Sequence, residues 1–148
     1  MAQSLAKVAV HLIFSTKDRR PLIAEAVQEK LDAYMTGALR NMDCPSIIVK
    51  SVEDHIHVLF FLSRNHALSM IVKELKVESS KWMKRQGLDG FRWQGGYGAF
   101  SVSQSRIESV KKYIADQEAH HRKVTFEEEF RRFLKRHQVE YDERYVWD

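Results

Sequence analysis

Four short stretches, residues 8–16, 47–52, 55–62 and 99–103, are rich in β-branched and aromatic side chains and bounded by polar or turn-forming residues. Such runs predict strands. Elsewhere the apolar positions fall at helical spacing. Ala24, Val27, Leu31, Tyr34, Met35, Ala38 and Leu39 mark a helix over 23–42, and Ile71, Val72, Leu75 and Trp82 mark one over 69–85, with Ser69 at its start. Ile107, Val110 and Ile114 stripe a third helix over 106–121, and 126–137 reads as a charged helix that leaves the last eleven residues peripheral. Residues 17–21, 43–45 and 51–54 punctuate these elements as turns, and 87–98 is a glycine-rich loop. There is no repeat, low-complexity tract or long linker.

The order is therefore β-α-β-β-α-β followed by helices. It predicts an α+β fold, a ferredoxin-like antiparallel sheet with helices on one face and additional C-terminal helices. One domain is expected over 1–148, with a motif-bearing core at 8–121 and a helical tail at 126–148. Within 55–62, Ile56, Val58, Phe60 and Leu62 can face the helices. His55, His57, Leu59 and Phe61 then lie on the opposite face, and covering Leu59 and Phe61 calls for a further helix or a second subunit.

The histidines change the picture. Side chains alternate along a strand, so His55 and His57 point the same way, roughly 6–7 Å apart. Two imidazoles so placed can share one cation, although a bare His-x-His is more often exposed or satisfied in a core. Tyr113 and Gln117, four residues apart, share a helix flank outside the apolar stripe; a phenol and an amide oxygen there can face a metal or simply solvent.

Composition sets outer limits. At 148 residues, 44% hydrophobic and 30% charged, the chain reads as soluble and globular, with no membrane-length apolar run and no secretory leader, hence cytoplasmic. The single Cys44 rules out an internal disulfide and reads as a small buried filler. A net charge of +4 admits an anionic partner, nucleic acid first.

Several motifs placed in order give more. His55-Ile56-His57 resembles the His-hydrophobic-His (HUH) signature of single-stranded DNA endonucleases, and Tyr113-Ile114-Ala115-Asp116-Gln117 resembles the tyrosine helix of single-tyrosine HUH transposases. Ser79-Ser80-Lys81-Trp82, the stretch from Phe91 through Trp93, Gly95, Gly96 and Tyr97 to Ser101, and Gln117 with His120 and His121 are similar to the same family. The resemblance, to the insertion-sequence 200/605 group including REP-associated tyrosine transposases, covers roughly residues 8–121.

That resemblance implies a DNA transposase acting on single-stranded DNA with hairpin ends. Tyr113 would be the nucleophile, forming a 5′-phosphotyrosine and freeing a 3′-hydroxyl. His55, His57 and Gln117 would hold a divalent metal, Mg2+ or Mn2+, with zinc open on affinity and His120 or His121 as substitutes for Gln117. Such a donor set adds no negative charge. The resemblance further implies a homodimer whose tyrosine helix can complete the partner's site; no nucleotide cofactor is expected. Arg19, Arg20, Lys81, Lys84, Arg85, Arg92, Lys111 and Lys112 are candidate DNA contacts, with Arg106 nearby and Phe91, Trp93 and Tyr97 as candidate stacking rings. His11 reads as structural. Two other readings stand beside the transposase: a domesticated nickase of hairpin repeats, with the same chemistry, and a non-catalytic ferredoxin-like nucleic-acid binder.

Overall fold

The computed structural model describes residues 1–148. Its four strands, β1 (Ala9–Ser15), β2 (Ser46–Ser51), β3 (His55–Phe61) and β4 (Gly98–Val102), form one sheet in the order β2-β3-β1-β4. Every neighbouring pair is antiparallel. Helices α1 (Glu25–Asn41) and α2 (Leu68–Arg85) are the two crossovers, and α3 (Ile107–Ala115), α4 (Gln117–His121) and α5 (Phe126–Arg136) follow β4. This is the α+β, ferredoxin-like arrangement expected, with element ends moved by one or two residues. No helix is long and apolar enough to cross a membrane.

Strand alternation divides the core into two layers. Val10, Leu12 and Phe14 of β1 join Ile56, Val58 and Phe60 of β3 against Leu31, Met35 and Leu39 of α1 and Ile71, Val72 and Leu75 of α2. Cys44 is buried in that layer, where its Sγ accepts the Ser63 N–H. Phe91 and Trp93 belong to it as well, so neither is free to stack on a base. The Trp93 indole N–H donates to Ser79 Oγ at 2.9 Å, which gives two of the sequence motifs a shared structural purpose.

One side chain of this layer sets a pH dependence. Asp32 on α1 accepts the Ser51 N–H at 3.0 Å, and burial pushes its carboxyl up from the usual carboxylate range to about 6. The folded state therefore holds this proton more tightly than the unfolded chain, so the contribution of Asp32 to stability is greatest at low pH and is lost as pH rises through about 6. Asp32→Asn removes the buried charge while keeping an acceptor for Ser51. Urea denaturation should show the variant more stable than the parent by roughly 1–2 kcal/mol at about pH 8, with the gain gone near pH 4.

The second face carries Ala9, His11 and Ile13 of β1 and His55, His57 and Leu59 of β3, and the chain itself covers it. Ile107, Ile114, Val110 and Tyr113 of α3 close over Leu59 and Ala9. Phe126, Phe130 and Leu134 of α5 close over Ile13 and Phe100. The cover expected from a further helix or a second subunit is thus supplied by α3 and α5. The tail is not peripheral either: Val146 and Trp147 pack on the α5 layer, and the Asp148 carbonyl accepts the Gly96 N–H at 2.8 Å.

Two local features fix α5. Thr125 Oγ1 accepts the Glu128 N–H at its start, with Glu127 and Glu128 in the first turn where carboxylates suit the helix dipole. At Gly98 a Cβ would lie 2.5 Å from the Phe130 ring, so the strand admits α5 only because the position is glycine. Gly98→Ala should lower stability in urea by about 1–3 kcal/mol and expose α5 amides to hydrogen exchange before those of the sheet centre.

Candidate active site

The antiparallel register builds the site on β3 and β1. Ile13 faces His57 and His11 faces Leu59, so His11 and His57 are diagonal neighbours on one face, with His11 Nε2 2.8 Å from His57 Nδ1. All three histidines, His11, His55 and His57, are buried. Burial lowers the affinity of His57 for a second proton, and burial together with the neighbouring His57 lowers that of His11.

Above this face the expected single helix over 106–121 is two helices. The chain turns at Asp116 (φ −90°, ψ 14°) between α3 and α4. No proline or glycine is responsible; the turn accompanies the inward placement of Gln117, which is buried. Its Oε1 lies 3.3 Å from His55 Nε2, and its Nε2 donates to Glu129 Oε2 at 3.2 Å. The histidine pair and the amide therefore meet within one chain. Tyr113, on α3, reaches the same point, with its ring 6.1 Å from that of His57.

Sequence reasoning missed Glu129. This α5 carboxylate is buried among the expected residues: Oε1 lies 2.9 Å from His57 Nε2 and 3.6 Å from His55 Nε2, and Oε2 accepts the Tyr113 hydroxyl. Burial alone would raise its pKa, but the hydrogen bond from His57, the nearby histidines and the Tyr113 hydroxyl outweigh burial and hold it well below the usual range. Conversely, burial and then the Glu129 charge push the Tyr113 phenol far up. The resting nucleophile candidate is a protonated phenol pinned on an ionised carboxylate.

These atoms suit a cation. His55 Nδ1 lies 2.7 Å from Asp54 Oδ1, so its proton belongs there and its Nε2 presents a lone pair. Gln117 Oε1, oriented by the amide's bond to Glu129, faces that lone pair, and Glu129 Oε1 faces it too. Acceptors converging without a hydrogen between them are costly when buried, and a metal ion there would resolve the conflict. His55, His57 and Glu129 offer ligand atoms all within 4.8 Å of one another. The separations of 2.9, 3.3 and 3.6 Å bracket the roughly 3.0 Å between adjacent donors of an octahedral ion with bonds of about 2.1 Å. The groups that could hold an ion here thus include a carboxylate as well as the neutral groups His55, His57 and Gln117.

The other candidates separate. His121 stands over His55, with Nε2 3.0 Å from Glu53 and 3.7 Å from Asp54, and His120 packs against the Tyr113 ring. Lys81, Lys84 and Arg92 line one groove beside α2 with half-exposed Tyr97, while Arg20, Arg85, Lys111 and Lys112 are exposed elsewhere. Arg19 is engaged with the tail, 3.4 Å from Glu127 and over the Trp147 ring.

Comparison with known proteins agrees with this architecture. The ISDra2 transposase TnpA of Deinococcus radiodurans is 25% identical over 114 residues, 72% of this chain and 81% of its own length. A crystal structure of a candidate transposase from Deinococcus radiodurans R1 superposes with a TM-score of 0.61 at 23% identity, covering 79% of this chain and 98% of that one. A REP-associated tyrosine transposase solved bound to a REP hairpin gives a TM-score of 0.60 at 15% identity, covering 82% of this chain and 73% of its own. At those identities the two structures speak for the fold. The family described as "Transposase IS200 like" matches residues 4–117, a stretch that contains His55, His57, Tyr113 and Gln117 and is most of the sequence; the chain belongs to that transposase family.

Proposed function

We propose that this transposase cleaves and rejoins single-stranded DNA through Tyr113, with a divalent ion, Mg2+ or Mn2+, held by His55, His57, Gln117 and Glu129. The observation that carries the reading is the convergence of those buried side chains beside a phenol whose hydroxyl Glu129 already accepts.

Tyr113 Oη attacks the scissile phosphorus, an Oη–P bond forms, and the P–O3′ bond breaks with its electron pair leaving on O3′. Glu129 Oε2, already the acceptor of the Tyr113 hydroxyl, is placed to receive the phenol proton, which ends on the departing 3′-hydroxyl. The resulting 5′-phosphotyrosine conserves the ester, so a later 3′-hydroxyl can rejoin the strand without ATP. His55, His57, Gln117 and Glu129 would hold a divalent ion whose charge would polarise the phosphate and offset the carboxylate charge that holds the phenol proton. Asp54 keeps His55 in the tautomer with a free Nε2, and with an ion in place of the His57–Glu129 hydrogen bond the His57 proton would move to Nδ1, where His11 Nε2 would accept it.

Hairpin-ended single strands are the substrate class in this reading, supported by the family and by the hairpin on which its REP-associated neighbour was solved. A homodimer belongs to the same reading, and its two sites need not exchange helices, because Tyr113 meets His57 and Gln117 meets His55 within one chain. A nickase of hairpin repeats would use the same atoms. Labelled hairpin-bearing single-stranded DNA incubated with the protein and Mn2+ should yield a protein–DNA adduct that survives denaturing electrophoresis. No adduct in either Mn2+ or Mg2+ overturns the reading in favour of a non-catalytic binder.

A further inference from the structure

Tyr113 opens onto a cleft between α3 and α5. A cavity of about 380 Å³ there is lined by Arg106, Arg132 and Arg136 together with His120 and Glu129. It continues into a second of about 580 Å³ that shares His11, Arg106, Phe133 and Arg136 and adds Phe100 and His137. The charge along this path is one-sided. None of the three arginines is in an ion pair, whereas their neighbour Arg131 is bound to Glu143 at 2.8 Å. The only carboxylate lining either cavity is Glu129, whose oxygens are already engaged by His57, Gln117 and Tyr113.

The far end is aromatic. The exposed His137 ring lies 4.5 Å from Phe100 and nearly parallel to Phe133, and its Nδ1–H donates to the Phe133 carbonyl, which fixes the ring. Unpaired guanidiniums followed by a fixed, exposed ring are what a single strand requires: cations for the phosphates and a flat face for a base. A duplex keeps its bases stacked on one another and has no use for the ring. Arg132, Phe133, Arg136 and His137 all lie beyond the family-matched residues 4–117.

We propose that the α3–α5 cleft binds the unpaired strand next to the scissile phosphate, with Arg106, Arg132 and Arg136 on its phosphates and His137 against a base. The proposal rests on the strand-cleavage reading for its orientation, but its test does not depend on cleavage. Fluorescein-labelled oligothymidylate and a blunt hairpin duplex are titrated with the full chain in EDTA, and anisotropy is read against salt. Arg132→Gln/Arg136→Gln should weaken oligothymidylate binding about tenfold and reduce its salt slope by about 1.4, while changing hairpin binding less than about twofold. Arg106→Gln, on the opposite wall, should act in the same direction. His137→Ala should weaken oligothymidylate binding roughly fivefold or more without altering the salt slope.

Unchanged oligothymidylate affinity in the arginine variants overturns the proposal. So does an equal loss on both probes, or displacement of oligothymidylate by polyglutamate as effectively as by unlabelled oligothymidylate, which would mark a surface for acidic protein. An enzyme that forms no adduct yet shows the selective loss would retain the groove and discard the cleavage reading; the reverse result would do the opposite.

Discussion

Tyr113→Phe abolishes the covalent protein–DNA adduct, by at least about 10³-fold, and leaves hairpin binding within a factor of about two. The substitution removes one oxygen from a ring held between His57, His120 and Phe133, so the packing of α3 persists. What it takes from the resting protein is the hydroxyl that donates to Glu129. That carboxylate keeps donors in His57 and Gln117, so the stability lost should be about 1 kcal/mol, small beside the lost chemistry. The comparison is informative because Lys111 and Lys112, the exposed neighbours on α3, remain to meet phosphate. Adduct formation by the phenylalanine variant at the parental rate would remove Tyr113 from its role, and Tyr97, Tyr141 or Tyr145, all exposed, would have to be examined.

The framework of the site was legible because its signals are periodic. A period of two places His55 and His57 together and sets Ile56, Val58 and Phe60 against the crossover helices, whatever the rest of the chain does. A spacing of four links Tyr113 to Gln117 closely enough that both reach the site even though the chain turns at Asp116. That turn was not legible, because no residue there has a strong preference for it; the inward contacts of Gln117 impose it. The stacking reading of Phe91 and Trp93 failed for a related reason. A glycine-rich neighbourhood indicates loop backbone but does not say on which side the rings fall, and both turn into the core.

Glu129 was missed because the segment presents three successive glutamates, which read as a solvated face. The apolar positions around it give only part of the answer. Phe126, Phe130, Phe133 and Leu134 form a stripe at intervals of four, three and one, and Glu129 borders it, three residues after Phe126 and four before Phe133. Glu127 borders the other edge, three residues before Phe130, and Glu128 falls outside. The stripe alone therefore does not separate Glu129 from Glu127; the packing of α5, which buries Glu129 and leaves Glu127 partly exposed, decides which carboxylate must find hydrogen-bond donors or a cation.

Glu129→Gln is accordingly the second large effect, on metal affinity. The substitution keeps side-chain size but removes the charge and one acceptor. In the resting protein the carboxylate serves His57, Tyr113 and Gln117 together, and an amide cannot accept from all of them without turning its own NH2 toward a donor. The ion-free variant should therefore lose about 1–3 kcal/mol in urea. Mn2+ titration by calorimetry should show a dissociation constant raised on the order of 10–100-fold or more. Thermal melting supplies an independent reading. An ion present at about 100 times its dissociation constant stabilises the parent by about 2.7 kcal/mol, and at that same Mn2+ concentration the variant should gain no more than about 1.4 kcal/mol. If Glu129→Gln binds Mn2+ as tightly as the parent, the carboxylate lies outside the donor set. His55, His57 and Gln117 would then hold the ion with neutral groups alone, and the contact between Glu129 and Tyr113 would serve only to seat α5 on the sheet.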